Sequence, residues 1–406
     1  MHALRILAGI AVGFVALAVA PSLPLLDVSS VHAQAKKKND KKGPPGKELP
    51  KPAAERTPFT AAEDEGAVIP GIEDARVWGD QAADFARLLP QTAGAWLAIS
   101  GGGSDGAYGA GVLTGWSDAT GGRPEFTVVT GVSIGSLLAP FAFLGSRYDD
   151  EVRKSFTTIT AADIFEDRVS RDSLLDFWPL RRQIEDRVTP KLLTEIAAEH
   201  ARGRRLLVVT TNLDAGRRTV WNMGAIAANG SERALKLFRS ILLASCAIPG
   251  FFSPVPIEVE SKGKKIEELH SDGTLTAPFF VAPESMLSGS ARPPITDLYV
   301  IINSKLTPEF KMVPPNVPGV LGQAIGTALT VGLRTQLMLV SGAAQRHGIA
   351  LRVAHVDSAF NFPARGSFDG KYMQALYEVG IAAGKSGAAF EQAIPGISMH
   401  GSASPQ

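Results

Sequence analysis

The chain has 406 residues, 45% of them hydrophobic and 20% charged, with a formal net charge of +1. That balance supports a sizeable core and gives no field suited to a polyanion, so no nucleic-acid partner is expected. Seven histidines and a single cysteine, Cys246, without clustered ligand spacing, give no case for a metal site, a bound cofactor or an internal disulfide.

The chain starts MHALRILAGIAVGFVALAVA, a short basic start before an apolar run from Ile6 to Ala20. Downstream, VHAQAK puts small residues at Ala33 and Ala35, as a cleavage site requires. Residues 1–35 therefore read as a signal peptide, and the protein is expected to be periplasmic or secreted. A retained anchor is the alternative, because the run is at the short end for a span. Residues 36–67 are expected to be a basic, Pro-rich disordered linker, since AKKKNDKKGPPGKELPKP has almost nothing to bury. The linker is read as a solvated spacer. Peripheral contact with an anionic membrane is the sharper alternative, each exposed lysine adding ~1 kcal/mol near such a surface.

The folded unit is expected over residues 68–394, followed by a polar tail over 395–406. Apolar runs that suit buried strands are WLAIS from Trp96, FTVVT from Phe126, RLLVVTTNL from Arg205, DLYVII from Asp297 and IALRVAHV from Ile349. Helical patterns lie between them, at Gly106 to Ser117, Ile134 to Leu144 and Ser231 to Ser245. Buried strands alternating with helices predict an α/β fold with a mostly parallel central sheet covered on both faces. Leu321 to Arg346 predicts one long helix, mostly buried against the body, with a wall of a lipid-binding mouth as the other reading.

Two loops at strand ends carry the chemistry. After the first strand comes GGGSDGAYGAGVL, in which Gly101, Gly103 and Gly106 match a dinucleotide fingerprint. The acidic ribose partner is missing, because the second strand ends in Gly131, and no Lys-Ser or Lys-Thr makes a Walker loop. The second strand leads instead into Gly131-Val132-Ser133-Ile134-Gly135, the G-x-S-x-G pattern of a nucleophile elbow. Parallel neighbouring strands would bring both loops to one sheet edge, where α/β ligand sites form. The N–H groups of Gly101, Gly102 and Gly103 then suit the oxyanion formed when Ser133 attacks an ester. Losing one such donor typically costs about 10²–10³ in turnover.

A serine hydroxyl needs a partner to take its proton. His355 sits in a strand pattern and His400 in the tail, which leaves His270 and His347 or an aspartate acting directly. The aspartate candidate is Asp272 in HSDGT, after a hairpin expected around Pro256 to Leu269.

GGGSDGAYGAGVL, TGVSIGSL, ASCAIPGFFSPV and HSDGT, in that order, resemble the patatin-like phospholipases and acylhydrolases. The resemblance implies a three-layer α/β/α fold and a Ser-Asp dyad without histidine. Carried onto this chain, Ser133 is the nucleophile, Asp272 the general base, and Gly101 to Gly103 the oxyanion hole. The elbow glycines Gly131 and Gly135 match in full. Two positions depart. Asp105 stands where the family carries Arg or Lys and is read instead as a cap for the following helix, and Thr274 stands where the family favours Gly or Ala. Cys246 reads as a core residue, and Phe251 and Phe252 as core packing or the floor of an acyl pocket. The expected activity is hydrolysis of lipid carboxylic esters through an acyl-enzyme. An inactive lipid-binding or scaffold module on the same fold is the alternative, and the fingerprint match leaves a nucleotide-binding protein as a third reading.

Overall fold

The computed structural model describes residues 56–390 apart from 168, 169, 171 and 311. The expected signal peptide, the linker up to residue 55 and the tail over 395–406 lie outside the described residues. The strands are β1 (Arg76–Trp78), β2 (Gly94–Ile99), β3 (Val128–Val132), β4 (Arg205–Asn212), β5 (Arg217–Asn222), β6 (Val255–Ser261), β7 (Lys264–Asp272), β8 (Ile295–Ile302) and β9 (Ala350–His355). They form one sheet in the order β1-β5-β4-β3-β2-β8-β9, with the β6-β7 hairpin joined through β7 to β4. The five strands from β4 to β9 along that path are parallel. Antiparallel pairing is confined to β1, β5 and the hairpin.

The side-chain alternation of these strands makes the layers. Leu97, Ile99, Val129, Leu206 and Val208 point to one face, packed with the helices α1 (Gly106–Ser117), α2 (Ile134–Leu144) and α3 (Glu232–Ser245). Trp96, Ala98, Val128, Val132, Leu207 and Val209 point to the other. That second face is covered by residues 277–282 and by the C-terminal half of α4 (Val317–His347). Helix α5 (Gly370–Ser386) returns to the first face and packs along α1. The result is the expected three-layer α/β/α fold with a mostly parallel sheet.

Two boundaries differ from expectation. Residues 56–67 were expected in the linker but are built into the body. Thr60 caps the short helix Ala61–Glu65 through a capping box with Glu63. Asp64 and Ala67 are buried, and Arg56 pairs with Asp214 at 2.6 Å. Polar composition alone hid these anchors, because their partners lie far along the chain. Helix α4 was expected to be mostly buried, yet its buried residues begin only at Leu333. Its first half has no layer packed over it.

Candidate active site

The glycine loop and the elbow meet at the carboxyl edge of the sheet because β2 and β3 are parallel neighbours, in a register that pairs Ile99 with Gly131. Ser133 follows β3 directly and opens α2 with φ 53 and ψ −128. A non-glycine residue held at positive φ is strained, and here the strain turns the side chain out of the sheet. The turn is tight enough to need glycine beside it. A Cβ on Gly135 would lie 2.4 Å from the Ile99 carbonyl oxygen, and one on Gly131 would lie 2.5 Å from that of Gly135.

Ser133 Oγ donates to Asp272 Oδ2 at 2.7 Å. Asp272 is the last residue of β7, and the antiparallel register sets it opposite Thr210 of β4, next to the elbow strand. Its other oxygen, Oδ1, accepts from Thr274 N at 2.8 Å and from Thr274 Oγ1 at 2.7 Å. The carboxyl is fully buried. Burial pushes it up to about 6, against the lowering effect of the bonds from Thr274 and Ser133. Near neutral pH it is therefore an ionised acceptor with enough basicity to take a proton from a hydroxyl.

The elbow is held from behind. Ser133 N donates to Ser245 Oγ at 2.9 Å, and Ser245 Oγ donates in turn to the Val209 carbonyl at 2.8 Å. The glycine loop is held by Asn303, the residue after β8. Asn303 Nδ2 donates to the Ser100 carbonyl at 2.9 Å, Asn303 N donates to Ser100 Oγ at 2.8 Å, and Ser100 Oγ donates to the Gly101 carbonyl at 2.7 Å. Gly102 crosses Asn303 so closely that a Cβ would lie 2.0 Å from the Asn303 carbonyl oxygen, and its φ is 154.

One of the three expected oxyanion donors is already in use. Gly101 N donates to the Pro278 carbonyl at 3.0 Å, so that amide is already committed. Asp105 is not the expected cap, because its side chain makes no capping bond to α1. It accepts instead from the Tyr372 hydroxyl at 2.8 Å, and burial raises it to about 6 against that bond.

Neither histidine suspect meets the nucleophile. His270 is fully buried, with Nδ1 at 2.9 Å from Thr210 Oγ1 and Nε2 at 2.9 Å from Glu268 Oε2. His347 ends α4, in its last turn. Cys246 is partly buried at the end of α3, and burial together with the Asp272 carboxylate pushes its thiol far up, so it is no second nucleophile. Phe252 is buried against Phe165 and Phe177 in the first-face core. Among the described residues no group of three or more His, Cys, Asp or Glu could hold a metal ion. Sequence reasoning missed Ser245 and Asn303, and it saw Thr274 only as a departure.

No curated protein matches the chain. Among solved structures, VipD from Legionella pneumophila is similar at 10% identity and a TM-score of 0.33, over 74% of this chain and 68% of that one. The patatin-like phospholipase family matches residues 97–283, a stretch that begins in β2 and contains the glycine loop, Ser133 and Asp272. Over those residues the chain is similar to the patatin-like phospholipases, and the stretch takes in both strand-end loops of the site.

Proposed function

We propose that the protein hydrolyses carboxylic esters of lipids through an acyl-enzyme formed on Ser133, with Asp272 as the only general base. The observation that carries this reading is the 2.7 Å bond from Ser133 Oγ to a buried carboxylate raised to about 6. Ser133 Oγ attacks the ester carbonyl while its proton passes to Asp272 Oδ2. The amides of Gly102 and Gly103 receive the oxyanion, and Asp272 returns the proton to the leaving alcohol. Water, giving a proton to the same carboxylate, then attacks the acyl-enzyme, and Asp272 passes that proton to Ser133 Oγ as the fatty acid leaves. The reaction needs no metal in this scheme.

The test is hydrolysis of p-nitrophenyl butyrate in excess chelator by the wild type and Ser133→Ala, together with labelling by a fluorophosphonate. Turnover and labelling by the wild type alone are the expected result. A folded wild type that neither turns over nor labels would sink the proposal and leave a lipid-binding module on this fold.

A further inference from the structure

Helix α4 has two unlike halves. From Leu333 onward, Leu337, Val340, Ala343 and Ala344 are buried in the core of the second face. Before Leu333 the helix lies on the surface, and the stretch MVPPNVPGVLGQAIGTALTVGL, Met312 to Leu333, contains no charged residue. Val317 is 73% exposed, Val320 57% and Val331 60%, and Phe310 and Met312 on the preceding loop are exposed almost completely. Scattered exposed apolar residues are ordinary, but a surface helix of more than four turns without a charge is not. The packed C-terminal half fixes the helix along the body, so it does not stand free to cross a bilayer.

Its position relative to the dyad gives the exposed face a use. On one flank Gln323, Thr327 and Val331 wall a cavity of about 610 Å³ shared with Asp105 and Tyr372, just past the glycine loop. On the other flank Ile325, Leu329 and Gly332 wall a cavity of about 390 Å³ shared with Thr274 and Leu275. Leu321 lies over Gly250, and Gly322 over Phe251. The uncharged half of α4 thus runs between two openings, one reaching Thr274, which bonds Asp272, and the other reaching Asp105 beyond the glycine loop. A protein partner, or a second copy, sealed over this face would cover both openings. A lipid surface is the occupant that covers the face and at the same time supplies substrate to it. Lys305 and Glu309 are paired with each other, and Lys311 and Arg334 are the charges that bracket the uncharged stretch in the sequence, so the contact would be mainly apolar.

We propose that the exposed N-terminal half of α4, with Phe310 and Met312, docks the protein flat onto a lipid bilayer and sets the dyad over the ester bonds of that layer. The proposal rests on the acylhydrolase reading. Docking of this kind is insensitive to salt, unlike attraction through a basic linker, which is screened.

The experiment places an environment-sensitive NBD fluorophore on the full chain at Val320→Cys, with Lys236→Cys as the control on α3, both in a Cys246→Ala background. Zwitterionic phosphatidylcholine vesicles should give a blue shift and a several-fold rise in emission at position 320, none at 236, and the same response at low and high salt. No response at 320, or an equal one at 236, overturns the docking face. A response that grows with protein concentration without vesicles assigns the face to a second copy and also overturns it. In parallel, Val317→Asp with Val320→Asp should lower hydrolysis of vesicle phosphatidylcholine about tenfold or more and leave p-nitrophenyl butyrate turnover unchanged. Equal loss on both substrates counts against docking. If the wild type hydrolyses neither ester, the acylhydrolase reading fails while the fluorescence still decides the docking.

Discussion

Strand β7 carries two buried polar clusters, and they differ in a way that separates structure from chemistry. Glu268, His270 and Asp272 share one face of the strand by its two-residue period, and none of the three is exposed. Around His270 every polar group is matched. Glu268 pairs with Arg76 as well as with His270, and Thr210 Oγ1 lies 2.9 Å from the ring and 2.7 Å from Trp221 Nε1. Burial alone would raise Glu268, but the bond to His270 and the charge of Arg76 overcome it and hold the carboxylate down at about 2. Around Asp272 no cation among the described residues balances the charge. Its partners are hydroxyls and an amide, one hydroxyl belongs to the strained Ser133, and the carboxyl is raised to about 6. Burial is common to both clusters. What sets Asp272 apart is an unneutralised charge facing a hydroxyl that can give up its proton.

The strongest way to break this contrast is Asp272→Asn. Asparagine fits the site: its oxygen can still accept from Thr274 and its amide can donate to Ser133, but it cannot take a proton. Turnover of p-nitrophenyl butyrate at pH 8 should fall by about 10³ or more. A variant within tenfold of the wild type would mean that the proton goes elsewhere.

A smaller effect should come from Thr274. Its hydroxyl stabilises the ionised form of Asp272, so Thr274→Val should raise the carboxyl further and move the acid limb of kcat/KM from near pH 6 upward by about one unit. That shift follows from a bond to a charged group worth roughly 1.5–3 kcal/mol, of which the backbone amide of residue 274 makes up part when the hydroxyl is gone. Turnover well above the limb should change less than turnover at pH 6. Thr274→Ser should restore the wild-type limb, because the hydroxyl is what matters. An unmoved limb in Thr274→Val would reduce the threonine to packing.

The meeting of Ser133 and Asp272 was legible because the signal for each residue is local. An elbow needs glycines two residues either side of the serine, and a strand-ending Asp-Gly needs only its neighbours. The parallel core was legible for the same reason: strands buried on both faces read as continuous apolar runs, and β4, β8 and β9 fall within a residue or two of expectation. The support of the site was not legible. Ser245 reaches Ser133 across 112 residues and Asn303 reaches Ser100 across 203. No spacing rule links such pairs. Asp105 misled as a cap because its partner, Tyr372, lies 267 residues away. Gly101 misled because its amide is spent on the carbonyl of Pro278, a contact made by tertiary packing. Helix α4 misled in the opposite sense: an uncharged apolar sequence reads as core, and half of it is surface.

The smallest expected effect on activity tests the other cluster, through His270→Gln. The ring is fully bonded and has no contact with Ser133, so butyrate turnover should stay within about threefold, while stability falls by about 1–3 kcal/mol as a buried partner is left unmatched. The pH dependence gives this prediction its sign. Burial lowers the folded-state pKa of His270, against the raising effect of Glu268, so over the histidine range the unfolded chain binds more protons at this group than the folded one. The contribution of His270 to stability is therefore complete above the unfolded value of about 6.5 and is lost as the pH falls below it. Glutamine does not titrate. The gap in melting temperature between wild type and His270→Gln should be widest above pH 7 and narrow on acidification toward pH 5. A gap that widens instead would mean that His270 is held protonated by Glu268 in the folded state, and the cluster would then be a true ion pair beside the dyad rather than a neutral hydrogen-bonded prop.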